Sequence, residues 1–197
     1  DLLCDLADEV AGRDCFRIEK DFTGEVPPGV RYLFVGTCNM EMLTEKIYRL
    51  QNLRTLIIDG LIKVKSDNHK AFKSMFAMFT RLTKLRVLKL HVALLYKHTF
   101  SFPDSIGDWK HLRYFAFWVK AMDKLTLPAT FSKLYHMQVA DFRFCGSLTF
   151  SSGEDMMSLV NLRHVISKTD LEFANVGRLI WLQTLPFFRF RRERGYD

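Results

Sequence analysis

One spacing recurs along this chain and constrains its fold more than any other feature. The frame is an apolar residue, two variable residues, a second apolar residue, two more variable residues, then two apolar residues flanking a variable one. It reads Leu50, Leu53, Leu56, Ile58. It returns as Leu82, Leu85, Leu88, Leu90, then as Trp109, Leu112, Phe115, Phe117, and again as Leu134, Met137, Ala140, Phe142. A fifth copy, Leu159, Leu162, Val165, has Ser167 in its last place, and a sixth is Leu179, Leu182, Leu185, Phe187. Val30, Leu33 and Val35 form an earlier partial copy. The second frame positions fall at residues 30, 53, 85, 112, 137, 162 and 182, so successive copies are 23, 32, 27, 25, 25 and 20 residues apart. A single such spacing arises by chance in a chain rich in leucine; six near-complete copies in one frame do not.

The frame dictates an architecture. Its last two apolar positions lie two apart and point to the same side of a short strand. One repeat cannot bury that side alone, but stacked repeats form a parallel sheet over one continuous core. Frame and period are similar to those of a leucine-rich repeat. The expected fold is therefore an α/β leucine-rich-repeat solenoid of about six or seven repeats. A curved parallel sheet forms its concave side, with short helices and loops on the convex side. Ala71, Phe72, Met75, Phe76, Phe79 and Leu82 have helical spacing, with Ser66 or Asp67 placed to cap. A full helix there accounts for the longest spacing. Pro103 and Pro128 sit where other return segments begin, because proline opens a turn and cannot donate to a ladder.

The first 25 residues stand outside the frame. Leu2, Leu3, Leu6 and Val10 share a helical face that Gly12 would stop, and Phe16 and Ile18 suggest a short strand. Pro27 and Pro28 mark a boundary. Residues 1–25 read as the tail of a preceding domain, and residues 26–197 as the repeats, truncated at their C-terminal end.

Composition narrows the classes. Phenylalanine is overused, with 18 copies against 3 Trp and 6 Tyr, as expected of a repeated unit that reuses one filler. The net charge of +7 favours acidic partners or an acidic neighbouring domain. A basic nucleic-acid binder is the less favoured alternative, since no recognisable module accompanies the charge. Cys4, Cys15, Cys38 and Cys145 form no C-x-x-C pair and fit no metal spacing, so they read as reduced thiols. No apolar run reaches the 18 residues of a membrane span. The charged first 20 residues do not resemble a signal peptide.

No catalytic constellation is expected, and no metal or cofactor site. His69, His91, His98, His111, His136 and His164 stand in no metalloenzyme spacing, and no G-x-x-x-x-G-K-[ST] loop exists to cradle phosphates. The adjacent carboxylates Glu154 and Asp155 suit a helix start after Ser151-Ser152-Gly153. Cys145-Gly146-Ser147 lacks the G-x-S-x-G context and reads as a turn after the fourth strand.

Binding is the remaining function class. Residues flanking the inward positions point to the opposite, concave side of each strand. They include Tyr32, Lys89, His91, Tyr114, Trp118, Asp141, Arg143, His164 and Lys168, which form the expected protein-binding face. Tyr, Trp and Arg are the types favoured at binding hot spots. A basic run, Arg189, Arg191, Arg192 and Arg194, closes the chain as a solvated loop or a contact for an acidic neighbour.

Several stretches carry a more specific resemblance. Asp1-Leu2-Leu3-Cys4-Asp5-Leu6-Ala7 resembles the segment beginning with the Asp of the Met-His-Asp motif in plant nucleotide-binding leucine-rich-repeat (NB-ARC LRR) receptors. Val30-Arg31-Tyr32-Leu33-Phe34-Val35 resembles that family's first repeat strand. Pro103-Asp104-Ser105-Ile106-Gly107 with His111-Leu112-Arg113-Tyr114 resembles its Leu-Pro-x-x-Ile-Gly…Leu-Arg-Tyr-Leu repeat, with Phe102 in place of the Leu. Val176-Gly177-Arg178-Leu179 and Leu182-Gln183-Thr184-Leu185-Pro186-Phe187-Phe188 resemble a stretch of the cereal coiled-coil class. The Met and His of the motif are absent. The resemblance implies that residues 1–25 come from the end of a winged-helix domain. It implies a cytoplasmic immune receptor whose repeats sense a pathogen effector or host protein and pack on the parent's nucleotide-binding domain. It implies no small-molecule substrate and no nucleic acid. A leucine-rich-repeat scaffold outside immunity is the alternative.

Overall fold

A computed structural model describes residues 12–20, 22–37, 43, 46–63, 76–77, 79–151, 156, 158–169 and 176–185. Its eight described strands are β1 Cys15–Ile18, β2 Tyr32–Val35, β3 Thr55–Lys63, β4 Val87–Ser101, β5 Tyr114–Leu127, β6 Val139–Asp141, β7 Ser147–Phe150 and β8 His164–Ile166. All pair in parallel within one sheet, in the order β1-β2-β3-β4-β5-β6-β8, with β7 alongside β5.

The frame sets the register. Leu33 faces Leu56, Leu56 faces Leu88, Leu88 faces Phe115, Phe115 faces Ala140, and Ala140 faces Val165. All six are buried, as are Val35, Ile58, Leu90 and Phe117 two residues on. The spacing between copies does not disturb this alignment: Thr55 pairs with Val87 although 32 residues separate them. Phenylalanine fills the core between sheet and return segments. Phe76, Phe102 and Phe117 meet edge to face at ring separations of 4.8–5.9 Å. Trp109 is fully buried, and its indole N–H donates to the Phe79 carbonyl at 2.9 Å. Such contacts add to the area burial of large aromatic side chains.

Pro103 and Pro128 each precede a short 3-10 helix, Asp104–Asp108 and Ala129–Lys133, which bury Ile106 and Phe131 against the core. Most of the helix expected around residues 66–82 lies outside the described residues. Near its end the Thr80 N–H donates to the Phe76 carbonyl, the i to i−4 bond of an α-helix.

Three expectations are corrected. First, the strand Phe16–Ile18, read as part of a preceding domain, pairs with β2 residue for residue as β1. The sheet therefore begins ahead of the boundary drawn at residue 25; residues 1–11 lie outside the described residues. Second, β4 and β5 are not short. They run 15 and 14 residues, and β5 pairs first with β6 and then, over Lys124–Leu127, with β7. The sheet thus continues past the repeat face. Buried Phe100 and Phe102, Leu125 and Leu127, and Leu148 with half-buried Phe150 alternate there as a strand requires. Third, Cys145-Gly146-Ser147 is not simply a turn, since Ser147 starts β7. Gly146 marks where two backbones meet: a Cβ on it would lie 2.3 Å from the Asp123 carbonyl oxygen. Cys145 occupies the Asn/Cys place of the repeat consensus. Its thiol donates to the Phe117 carbonyl of the preceding repeat at 3.1 Å, and burial pushes its pKa up to about 12.

Candidate protein-binding face

Alternation along the strands leaves three rows of side chains opposite the core. The first runs Tyr32, Thr55, Val87, Tyr114, Val139, His164. The second runs Phe34, Ile57, Lys89, Ala116, Asp141, Ile166. In the third, His91 pairs with Trp118, and Arg143 follows in the turn after β6.

Trp118 is the centre of this face. The Lys89 ammonium lies 4.2 Å from its ring centroid and the Arg143 guanidinium 5.4 Å. The His91 and Phe144 rings approach it edge to face at 5.9 and 5.3 Å. Lys168 extends the chain of contacts, with its ammonium 4.9 Å from the Phe144 ring. Both cations on Trp118 are also anchored by acids. Lys89 reaches Asp59 at 2.6 Å, and Arg143 forms a two-pronged pair with Asp141 at 3.0 and 2.7 Å. A cation over a ring is favourable, and the paired acids hold these cations in place. The Trp118 indole N–H is buried and meets no hydrogen-bond acceptor among the described residues.

Of the nine residues singled out by sequence, Lys89, His91, Trp118, Asp141, Arg143 and Lys168 belong to this one connected group. Tyr114 adjoins it on the same strand. Its phenol pKa is raised, first by burial and then by the Asp141 charge, against a lowering from Arg143. Tyr32 lies three strands away and His164 two strands away from Tyr114. Tyr32 is exposed, and His164 Nδ1 lies 3.1 Å from the Thr184 hydroxyl.

Two positions depart from the expected exposure. Asp141 is on the concave side, but its side chain is 0% exposed, because Arg143 folds back over it and the Arg143 backbone N–H also donates to it. It supports the face from below. Ala116 shares that row and is covered, being too short to rise between Lys89 and Asp141. Sequence reasoning missed Asp59 and Phe144. Asp59 follows the inward Ile58, so alternation alone would have placed it outward. Phe144, 44% exposed, stands just before the segment read as a turn.

Among the described residues no three His, Cys, Asp or Glu side chains converge as metal ligands would, and no helix is long and apolar enough to cross a membrane.

No protein-family model matches the chain, and no curated protein does. Solved structures do. A leucine-rich-repeat protein of Leptospira interrogans superposes with a TM-score of 0.52 at 18% identity, covering 81% of this chain and 43% of that one. The fold is a leucine-rich-repeat solenoid. The PEPR1–AtPEP1 complex matches at a TM-score of 0.49 and 15% identity, over 87% of this chain and 23% of that one. The internalin InlF of Listeria monocytogenes matches at 0.32 and 13%, over 91% and 68%. This solenoid thus spans less than half the length of the Leptospira protein it matches.

Proposed function

We propose that the chain is a non-catalytic protein-recognition module, and that its parent is an intracellular plant immune receptor of the nucleotide-binding leucine-rich-repeat class. The observation that carries recognition is the Trp118 group, a half-buried aromatic held between two neutralised cations on an open sheet face. Binding energy concentrates on such rigid aromatic centres with polar rims. The partner reading is a pathogen effector or host protein on this face, with the parent's nucleotide-binding domain as a second contact. The immune assignment rests on the sequence resemblance quoted above, which runs from Asp1 to Phe188.

The two parts have separate tests. For recognition, the Tyr114→Ala/Trp118→Ala double variant of the parent should lose its partner, or its restraint on signalling, while its melting curve stays cooperative. Retained binding and unchanged signalling would remove the concave face from the reading. For the immune assignment, the parent transcript should encode a phosphate-binding G-x-x-x-x-G-K-[ST] loop upstream. A complete transcript without one leaves a leucine-rich-repeat scaffold outside immunity.

A further inference from the structure

A second row of side chains runs along the edge of the sheet where the strands begin, apart from the concave face. Strands β2, β3, β4, β5, β6 and β8 are each preceded by one residue whose backbone N–H donates to the carbonyl of its counterpart before the neighbouring strand. Arg54 donates to Arg31, Arg86 to Arg54, and Arg113 to Arg86, at 2.7–2.8 Å. Gln138 and Arg163 continue the row by the same bonds. Four consecutive repeats therefore place an arginine at one structural position.

Neighbouring strands are about 4.8 Å apart, so these four positions span about 14 Å. Like charges set side by side across strands are unfavourable. Nothing in the core requires arginine here, for the side chains of Arg31, Arg86 and Arg113 are exposed and that of Arg54 is half-buried. Among the described residues only Arg31 of the row meets an acid, Asp14 at 3.3 Å. Lys84, held by Asn52 at 2.8 Å, adds a further cation to an open cleft beside Arg31 and Arg54.

We propose that this arginine edge is a docking surface for an extended, Asp- and Glu-rich segment of a partner protein, laid across the repeats. Guanidinium groups pair with carboxylates through two parallel hydrogen bonds, which gives geometry as well as charge. Arg31 already takes a carboxylate of this chain, through a single contact to Asp14 at 3.3 Å. The 14 Å span equals about four extended residues at roughly 3.3 Å each. A single-stranded nucleic acid would also need bare aromatic platforms for its bases. The exposed tyrosines near this end of the repeats, Tyr48 and Tyr135, each hold a cation over one ring face, Arg81 at 5.0 Å and Lys110 at 5.8 Å.

The test is fluorescence anisotropy with the whole chain and a labelled peptide of about ten residues alternating Glu and Ser. The same peptide with Gln for Glu and a labelled single-stranded RNA are the comparison arms. Saturable, salt-sensitive binding of the Glu peptide is expected, with the Gln peptide much weaker. Arg54→Glu/Arg86→Glu should weaken it by at least about tenfold, since removing close charge pairs acts strongly on such contacts. Arg163→Glu, beyond the Gln138 break, should cost less than about threefold, and Trp118→Ala should change nothing. Arg54→Gln/Arg86→Gln gives the same reading in milder form if charge reversal disturbs the fold. The proposal is overturned by the absence of saturable binding, by an equal loss from Arg163→Glu, or by RNA binding tighter than the peptide.

Discussion

The middle of the solenoid and its last described repeat use the same frame and bury it differently. Leu112 and Leu182 hold the same place in their copies, but Leu112 is fully buried and Leu182 only half-buried. In the middle, phenylalanines of neighbouring repeats pack ring on ring, Phe102 against Phe115 and Phe115 against Phe142. Around Leu182 the first frame position, Leu179, is buried while Ile180 and Trp181 beside it are 78% and 59% exposed. The motif supplies an inward-pointing apolar residue in both copies, and its degree of burial differs between them. In a stacked-repeat fold the interfaces between repeats carry much of the stability.

The sharpest way to break this comparison is a pair of truncations. Phe117→Ala should destabilise the chain by about 3–5 kcal/mol, the loss for a core phenylalanine. Leu182→Ala should cost no more than about 1 kcal/mol, in line with partial burial. Both are measured by denaturant unfolding. Equal losses would show that the last repeat is as enclosed as the middle.

Next comes alkaline pH. Cys145 belongs to the packed middle, where burial raises its thiol pKa from 9.0 to about 12. The folded state holds that proton more tightly than the unfolded one. Stability from this group is therefore full below pH 9 and falls as the pH rises towards 12. The loss should be on the order of a few kcal/mol, and Cys145→Ala should lack that part of the slope. At neutral pH the native Cys145 should resist thiol reagents while half-buried Cys15 reacts. If Cys145 reacts as fast as Cys15, the middle opens more readily than its packing implies.

A smaller effect is expected at the crossing of β5 and β7. Gly146→Ala forces a methyl against two backbone carbonyls, of Asp123 and Met122. About 1–3 kcal/mol should be lost, as in overpacked cores. Gly29→Ala, where a Cβ meets nothing within 4 Å, should shift stability by less than about 0.5 kcal/mol. Thermal melts of the two variants compare them directly. The smallest effect is on the concave face. A double-mutant cycle of Lys89→Ala and Trp118→Ala should return a coupling of about 1 kcal/mol, the worth of a cation–ring contact whose lysine side chain is 18% exposed. A coupling near zero would mean that Asp59 alone fixes Lys89.

The frame made the repeats, the inward residues and the parallel order legible, because a spacing of three, three and two leaves the strand no other register. It read β1 as a short strand but set it outside the repeats, since Phe16 and Ile18 show only half a frame and precede two prolines. The long ends of β4 and β5 were missed for a different reason. Their alternation, Phe100 with Phe102 and Leu125 with Leu127, begins after the frame has ended, where a return loop was expected. The concave side was legible as a row of positions but not as a set of contacts. Alternation places Asp141 outward and cannot show that Arg143, two residues on, folds back and seals it. The arginine edge was visible in the frame as its fifth place, but its side-by-side stacking follows only from the pairing of strands.

Register here is independent of how far the chain travels between strands. Thirty-two residues separate Thr55 from Val87 and 25 separate Val139 from His164, yet both pairs sit opposite one another. The open sheet face is thus a printed grid with fixed pitch, and the outer side a margin of variable width. Lengthening a return segment leaves every grid point where it was; substituting one outward residue changes a single point. A protein built this way can alter what it recognises one cell at a time without re-solving its fold.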